Sequence, residues 1–494
     1  MADDISDVSL ASYLRRYMVR KNLFDDKLKS IRLCGSQLNY VSDLTHSVFL
    51  LSNQVDKSYF LGITHCHSPW ACPVCSPKVM AKKGTDIACA IDALSTWYNE
   101  QAFMVTFTLP HSVGMPCERS FNLLTKVWRT FTKETGNEQR KYKLRSDIDK
   151  KNKTYTEGKT YYKRGNSYGG GTKNKTDQRA VGKLGEERIH HITHKGYGNF
   201  RETLGIKHFI KVYEVTYGEN GWHPHIHALF WCPKDKFDQA TSFQDELLDK
   251  WWATAKYHAL KELNAWYPDR KEENAKSVDD FYADWRKYPK TGHRSVYFSC
   301  DKKGKLIVQK SSMYISGWSG NMELTGDVDV KKGREGHYTP FQMLEKARSN
   351  ASQEQLWMPL FIEYVLATRG RRRVEFAKHS GLRKIIDKWK ATNKYVEVCK
   401  KKALEKATGR FQVLCWFTSD EWYNLCHWEK TTDEDIMATI LKLARAPDAF
   451  QLVYEFCLRF DVDISQHLYT VVKQGIVKRI EKNNYFNALL DEVA

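Results

Sequence analysis

The chain has 494 residues and a mass of 57.7 kDa, enough for two or three domains with sizeable cores. Its 78 lysines and arginines against 59 acidic residues give a net charge of +19 and a pI near 9.2. This balance favours nucleic acid as the partner, ahead of an anionic membrane surface. The sequence offers neither an apolar signal segment after MADDISDVSL nor a run of roughly 18 apolar residues. These features argue against secreted and membrane-spanning classes, and we expect a cytoplasmic protein with no membrane partner.

The N-terminal segment, residues 1–100, is predicted to be a zinc-binding module. A β-like run from Leu38 to Leu61 precedes a cluster of cysteines, and a helical pattern follows from Val79 to about Trp97. The next run, FMVTFTLPH, is rich in β-branched and aromatic residues and ends in a proline, which predicts a buried strand.

Composition changes between about residues 137 and 200. Residues 141–200 carry 15 lysines and arginines against 6 acidic residues, a net charge of +9, and few aliphatic side chains. Such a segment cannot bury enough apolar surface to order itself. We therefore predict a flexible basic insertion, which either contacts DNA or is simply a solvated surface loop.

Beyond the insertion, strand patterns and helix patterns alternate. HFIKVYEVTYG (208–218), the turn ENG and the run HPHIHALFW predict a β-hairpin. Helical spacing over about 232–290 precedes a second predicted hairpin at 296–308, with its turn at KKGK. We place one domain at residues 101–385 and a helical C-terminal region at residues 386–494, for which a packing or partner-binding role is expected.

The first hairpin carries the densest group of candidate metal ligands. A period of two places His225 and His227 on one face of the second strand, and imidazole is a common ligand of divalent metals. Glu214, on the preceding strand, is acidic in an otherwise apolar stretch, and a buried carboxylate is costly unless it is paired or binds a metal. We predict a metal site at these three residues, with His223 as a further residue that could reach the metal or a substrate phosphate. Hydrogen-bonded structural histidines are the alternative.

A second metal site is predicted at the cysteine cluster. The four candidate ligands are Cys34, Cys66, Cys72 and Cys75. The last two form a C-x2-C pair, and thiolates at this spacing suit a tetrahedral structural Zn²⁺. His65 or His67 remains open as a replacement for Cys34. A redox-active C-x2-C pair or buried free thiols are the alternatives.

The sequence resembles the rolling-circle replication initiators, the HUH endonucleases. GWHPHIHALF resembles their histidine–hydrophobe–histidine motif, and EVTYGENGWHPHIH is similar to plasmid and phage Rep proteins in particular. MVTFTLPH resembles the family's first motif strand, and CGSQ with HCHSPWACPVCSPKV resembles its N-terminal cysteine region. MYISGW, ELTG, KKGREG and TPFQML resemble the tyrosine motif and its sequel, and YVLATRGRRRVEF with GLR resembles the segment after that. The resemblance covers about residues 30–385, apart from the basic insertion.

This resemblance implies an α+β fold, with a central antiparallel sheet and flanking helices packed on one face. It also implies a single-strand DNA endonuclease and ligase that works by metal-dependent transesterification with Mn²⁺ or Mg²⁺. Tyr314 would be the nucleophile and would leave a 5′-phosphotyrosine and a free 3′-OH for rolling-circle replication. The implied partners are single-stranded or supercoiled origin DNA, with a host helicase and polymerase.

The sequence departs from the family pattern beside the tyrosine. Family members commonly carry a lysine three residues after it, where this chain has Gly317. On a helix, Lys310 would share a face with Tyr314 and could supply the missing charge. A catalytically inactive copy of the enzyme is the alternative.

Four arginines stand together in RGRRR, namely Arg369, Arg371, Arg372 and Arg373. Guanidinium groups match phosphate oxygens, so these residues are candidates for contacts with the DNA backbone, and a solvated helix end is the alternative. Two other functions remain open for the whole chain. One is an HUH-type transposase, and the other is a non-catalytic, zinc-containing DNA-binding regulator.

Overall fold

The computed structural model describes thirteen stretches of the chain. They are residues 8–23, 25, 28–36, 47–52, 58–132, 138–143, 187–192, 197–286, 295–311, 336–377, 380–392, 412–432 and 434–465. Tyr314 and Gly317 lie outside these described residues, as does most of the basic insertion.

The strands within these stretches form three antiparallel sheets. The strands are β1 (Ser47–Ser52), β2 (Ser58–Leu61), β3 (Glu100–Thr108), β4 (Glu138–Lys143), β5 (Glu187–Ile192), β6 (Phe209–Gly218), β7 (Gly221–Pro233), β8 (Val296–Phe298), β9 (Val374–Phe376) and β10 (Gln412–Thr418). The central sheet has the order β8-β3-β7-β6-β9, a second sheet has the order β10-β1-β2, and β4 pairs with β5. The predicted α+β class with a central antiparallel sheet is therefore confirmed.

The helices lie on both sides of the central sheet and around the second sheet. They are α1 (Val8–Asn22), α2 (Lys29–Arg32), α3 (Cys75–Tyr98), α4 (Cys117–Phe131), α5 (Tyr197–Thr203), α6 (Gln244–Trp266), α7 (Lys271–Arg286), α8 (Pro340–Ala347), α9 (Ala351–Thr368), α10 (Leu382–Thr392), α11 (Ser419–Thr431), α12 (Ile436–Leu443) and α13 (Ala449–Leu458). A 3-10 helix, Lys234–Phe243, links β7 to α6. Among the helices in the described ranges, none has the length and apolar content needed to cross a membrane.

Both hairpins predicted from the sequence are confirmed. In β6 and β7, Gly218 pairs with Gly221 across a two-residue turn. Gly221 has a φ of +82°, and a Cβ there would lie 3.2 Å from the carbonyl oxygen of Ser112, so the turn favours glycine at this position. In the second hairpin, Cys300 stands opposite Leu306 beyond β8.

Helices cover both faces of the central sheet, so the expectation of helices on one face is wrong. On one face, Phe103, Phe107 and Phe230 pack against α4 and α6, and the largest buried side chain there is Trp251 of α6. On the other face, which we call the α3 face, Met104 and its neighbours pack against α3 and α10. β3 and β7 are apolar on both sides because both sides are buried. A sequence that is apolar at successive positions does not reveal a second helical layer.

The C-terminal region is not purely helical, since β10 pairs with β1 along its length. Val48 of β1 stands opposite Phe417 of β10, and both are buried in a core that also contains Trp422. The cysteines Cys34, Cys72 and Cys75 lie in the same core. The sequence placed residues 1–100 and 386–494 in separate domains, whereas the structure builds one core from parts of both.

The stem of the predicted insertion is ordered as a β-ladder between β4 and β5. At its C-terminal end, α5 returns to the main core, where Tyr197 and Phe200 are 1% and 0% exposed. The boundary predicted at residue 200 is therefore too late. Two aromatic side chains are enough to anchor a short helix that follows a polar, basic segment.

A buried ionic cluster joins α1 to α11. The carboxylate of Glu429 is 2% exposed and accepts hydrogen bonds from Arg20 and from the backbone N–H of Met437. Arg16 approaches the same carboxylate at 3.9 Å and donates from Nε to the carbonyl oxygen of Cys34 at 2.7 Å. Removal of one member leaves an uncompensated buried charge.

We therefore predict that Glu429→Ala destabilises the protein by about 3–5 kcal/mol, because two buried guanidinium groups lose their anion. The measurement is the urea unfolding midpoint, followed by tryptophan fluorescence. The matched control is Glu434→Ala, which removes an exposed pair with Arg459 and should cost no more than about 1 kcal/mol. Equal midpoints for the two variants would show that the buried cluster stabilises the protein no more than the exposed pair does.

Candidate metal centre

The register of three neighbouring strands brings the predicted catalytic ligands together. In β6 and β7, Glu214 stands opposite His225 and Val212 stands opposite His227. In β3, Thr106 stands opposite His227. Residues that face each other across antiparallel strands project from the same side of the sheet. All of these side chains therefore lie on the α3 face, beyond its apolar part.

The ligand atoms form a nearly equilateral triangle. Glu214 Oε2 lies 2.8 Å from His225 Nε2 and 2.9 Å from His227 Nε2, and the two nitrogens are 3.0 Å apart. An octahedral ion with ligands at about 2.1 Å has three such ligands on one face about 3.0 Å from one another. The geometry can therefore hold one divalent metal ion and leave coordination positions for other ligands.

With their Nδ1 atoms protonated, both histidines direct an Nε2 lone pair into the triangle. His225 Nδ1 lies 3.4 Å from the carbonyl oxygen of His223, which accepts from it in this tautomer. His227 Nδ1 lies 2.9 Å from Thr106 Oγ1 and, with Nε2 as the ligand atom, donates to it. Two lone pairs and a carboxylate thus converge on one point. Their repulsion requires a cation there, or a second proton on one ring.

His223 lies beside the triangle, two positions before His225 on β7. Its Nε2 lies 3.1 Å from Thr108 Oγ1, and its Nδ1 lies 3.3 Å from His111 Nε2. Both ring nitrogens are thus engaged, and His223 is not in the group of potential ligands formed by Glu214, His225 and His227. Its assignment as a further ligand stays a prediction. Its ring centroid lies 5.3 Å from that of His225.

Two threonines and a histidine that lie beside the site were not predicted from the sequence. Thr106 is 1% exposed, Thr108 is 4% exposed and His111 is 8% exposed. A signal was present in MVTFTLPH, where two threonines alternate with apolar residues and so share one face of a strand. The strand pairing needed to connect them to the histidines is not contained in that pattern.

Lys310 lies at the other end of β3 from the histidines. The preceding residue, Gln309, forms a β-bridge with Ala102, near the start of the strand, whereas His225 stands opposite Thr108 at its end. Lys310 and Ser311 are not helical. The helical spacing that placed Lys310 on one face with Tyr314 therefore does not begin at Lys310. Tyr314 itself lies outside the described residues.

The four predicted cysteine ligands converge at the N-terminus of α3. Their sulfur atoms all lie within 4.8 Å of one another, with Cys34 Sγ 3.5 Å from both Cys72 Sγ and Cys75 Sγ. Tetrahedral Zn–S bonds of about 2.3 Å place sulfurs about 3.8 Å apart. The backbone N–H groups of Cys66 and Cys75 point at sulfurs of the cluster, as they do around bound thiolates.

This cluster has the composition and spacing to hold a zinc ion. Burial raises the pKa of the Cys72 thiol, so this sulfur resists ionisation unless a cation lies beside it. The convergence of all four sulfurs, and not only of the C-x2-C pair, favours a zinc site over a redox pair. Cys34 lies in the cluster, so His65 and His67 are not needed as its replacement.

The four arginines of RGRRR have different environments. Arg371 donates to the carbonyl oxygen of Ala367 and to Asn122 Oδ1, at 2.6 and 2.8 Å. Arg373 donates to the carbonyl oxygen of Pro69 at 3.2 Å and lies over the ring of Trp70. Arg369 and Arg372 are exposed. Two of the four guanidinium groups therefore stabilise the fold, and two face solvent.

Comparison with known proteins gives two similar sequences. The chain is 22% identical to "Protein rep" of Streptomyces lividans over 363 residues, which cover 68% of this chain and 67% of that protein. It is 27% identical to "Neomycin resistance protein" of Streptomyces cyanogenus over 173 residues, which cover 34% of this chain and only 30% of that protein. No protein-family model matches the chain, and no solved structure matches it.

We predict that Thr106→Val weakens Mn²⁺ binding by about 10- to 100-fold, because His227 loses the hydrogen bond that orients its ring. Isothermal titration calorimetry measures this affinity. Thr130→Val is the matched control, since it removes a similar threonine–histidine contact, 2.7 Å from Oγ1 to His258 Nε2, on another part of the molecule. Equal affinities for the two variants would remove Thr106 from the site.

We also predict one zinc ion per chain at the cysteine cluster and its loss in Cys72→Ser. The zinc content is measured by mass spectrometry of the purified protein in a His225→Ala/His227→Ala background, so that only the cysteines contribute. Cys300→Ser, which changes a half-buried cysteine outside the cluster, serves as the control. Full zinc content in Cys72→Ser would contradict the assignment.

Proposed function

We propose that the protein is a Rep-type replication initiator that nicks one strand of DNA at an origin. The observation that carries the proposal is the convergence of Glu214, His225 and His227 on one point of the α3 face. The similarity to "Protein rep" supports a role in plasmid replication. The charge of +19 supports DNA as the partner.

The proposed chemistry is transfer of a phosphodiester to a tyrosine. The Tyr314 oxygen attacks the phosphorus, the bond to the 3′-oxygen breaks, and the proton lost by the tyrosine balances the charge gained by the leaving oxygen. A divalent ion held by the triangle would polarise the phosphate oxygens and orient the phosphate. Because a phosphotyrosine ester replaces the phosphodiester, the same site can rejoin the strand. Two imidazoles with one carboxylate suit Mn²⁺ or Mg²⁺ as the working ion.

The side chains around the triangle would keep it ready for the metal. Thr106 holds His227 with Nε2 inward, and the His223 carbonyl does the same for His225. Glu214 supplies negative charge at a position that is only 14% exposed, so the interaction with a cation is weakly screened. Lys310 stays a proposed source of positive charge although it lies at the other end of β3 from the triangle, and Arg369 and Arg372 remain proposed contacts to the DNA backbone.

Two other functions use the same residues differently. A transposase with this chemistry would share the triangle, and the similarity to "Protein rep" favours replication over transposition. A zinc-containing DNA-binding regulator would need the cysteine cluster but not a set of converging acceptors. The triangle therefore favours an enzyme. The 3′-OH of the nicked strand would be extended by a host polymerase, and a host helicase is the other proposed partner of an initiator.

We predict that the protein nicks supercoiled origin DNA with Mn²⁺ and that Tyr314→Phe and His225→Ala/His227→Ala each reduce the nicking rate by at least about 1,000-fold, because they remove the nucleophile and the metal. Labelled DNA that stays attached to protein after denaturation identifies the covalent 5′ link. Tyr267→Phe, which changes an exposed tyrosine between α6 and α7, is the control.

The outcomes of the nicking assay distinguish the metal site, the nucleophile and the role of Lys310 from one another. Nicking by Tyr314→Phe but not by the histidine variant would keep the metal site and reject this nucleophile. Nicking by Lys310→Ala at the wild-type rate would reject the role of that lysine. DNA binding without nicking under any divalent metal would favour the regulator or an inactive copy.

A further inference from the structure

A basic groove lies beside the metal triangle on the α3 face of the central sheet. It has a volume of about 780 Å³ and is formed by the first half of α3, by β9 and by the start of α10. Its apolar lining includes Val79, Met80, Val374, Phe376 and Leu382, and its basic lining is Lys83, Arg372, Arg373, Arg383 and Lys384. We call this cavity the β9 groove.

Strand pairing fixes the position of the β9 groove relative to the metal triangle. Val374 of β9 stands opposite Val212 of β6, and Val212 stands opposite His227 of β7. Paired residues share a face, so the groove and the triangle lie on the same side of the sheet. They are two strand spacings apart, or about 10 Å. The backbone N–H of Tyr213 donates to the carbonyl oxygen of Arg373 at 2.9 Å, so contact with β6 continues one residue before β9.

The charge of the β9 groove favours a polyanion. Five basic residues line it against one acidic residue, Glu375. The carboxylate of Glu375 is 3.3 Å from Lys211 Nζ, which lies over Trp128 on the opposite face of the sheet. Among the described residues, Arg372 and Lys384 have no hydrogen bond or ion pair to another side chain, and both are exposed. Their charge is available to a ligand.

A buried carboxylate beneath the groove holds two more of its cations in place. Asp86 is 3% exposed and pairs with Arg383 at 2.7 Å and with Lys83 at 3.6 Å. The same two cations lie over the ring of Phe376, at 5.2 and 5.7 Å from its centre. The rim of the groove is therefore pre-organised, and binding of an anion needs little further ordering of these side chains.

The combination of an apolar floor with a basic rim distinguishes unpaired nucleotides from other polyanions. A free phosphate or the backbone of duplex DNA would need only the rim. Unpaired nucleotides offer phosphates to cations and bases to apolar and aromatic surfaces at the same time. In the floor, Phe376 and Val79 are part-buried, whereas Met80, Val374 and Leu382 are buried in the core. A base can therefore contact the first two without being selected by its identity.

We propose that the β9 groove binds unpaired nucleotides next to the phosphate that is cleaved at the metal triangle. This inference rests on the proposed function, since it takes single-stranded DNA as the substrate of that site. Arg372 and Lys384 contact phosphates, and Phe376 with Val79 contacts a base. The groove thereby sets the direction in which the strand leaves the triangle.

The test is binding of a fluorescein-labelled oligothymidine of about 20 nucleotides, followed by fluorescence anisotropy in EDTA over a range of salt concentrations. Arg372→Ala/Lys384→Ala should weaken binding roughly tenfold and lower the salt slope by about 1.4, since each phosphate contact to a single strand contributes about 0.7. Arg372→Lys/Lys384→Arg should bind like the wild type. Phe376→Leu should weaken binding several-fold without changing the salt slope.

The matched control is Lys302→Ala/Lys303→Ala, which removes the same charge from an exposed turn beyond β8, at the opposite edge of the sheet. Equal losses in the two double variants would show a general charge effect and overturn the groove. If the groove variant lost as much affinity for duplex DNA as for the single strand, the groove would also be overturned. The nicking assay separates the two proposals. If the wild type nicks DNA and Arg372→Ala/Lys384→Ala binds the oligonucleotide as well as the wild type, only the groove is rejected. If the groove variant binds more weakly but the wild type does not nick DNA, only the proposed function is rejected.

Discussion

The pairing of β6 with β7 is the constraint on which the rest of the site depends. It sets Glu214 against His225, and the next ligand, His227, follows at the strand period. A slip of one residue would turn every one of these side chains to the other face, which is packed with aromatic rings. Burial of that aromatic face therefore enforces the register that the polar face needs. The energy that fixes the metal ligands comes largely from apolar residues that never touch the metal.

The α3 face has three zones along its length. Its apolar zone is sealed by α3 and α10, its polar zone carries the triangle, and the β9 groove opens at the edge formed by β9. The helix that seals the apolar zone also begins at Cys75, a member of the cysteine cluster. The cluster is thus placed to hold the N-terminal end of α3 in position. A structural metal there would support the wall of the groove without taking part in catalysis.

The sequence predicted the parts of the site that depend on local periodicity. A period of two in PHIHAL and a single carboxylate in the preceding strand were enough for Glu214, His225 and His227. Thr106 was missed because β3 and β7 pair across more than a hundred residues, and no local pattern encodes such a pairing. The non-helical backbone at Lys310 was missed for the same reason, since its bridge to Ala102 is a long-range contact. The sequence also could not separate the arginines by role. Arg371 and Arg372 are neighbours of the same type, but Arg371 donates hydrogen bonds within the protein whereas Arg372 is exposed.

The pairing of β1 with β10 has a consequence for how the protein is made. Val48 and Phe417 are partners in one sheet although most of the chain separates them, so the loop that this contact closes is among the longest in the molecule. On the ribosome, the central sheet can complete its strands while the C-terminal segment is still unsynthesised. The cysteine cluster would spend that interval without the core that later surrounds it.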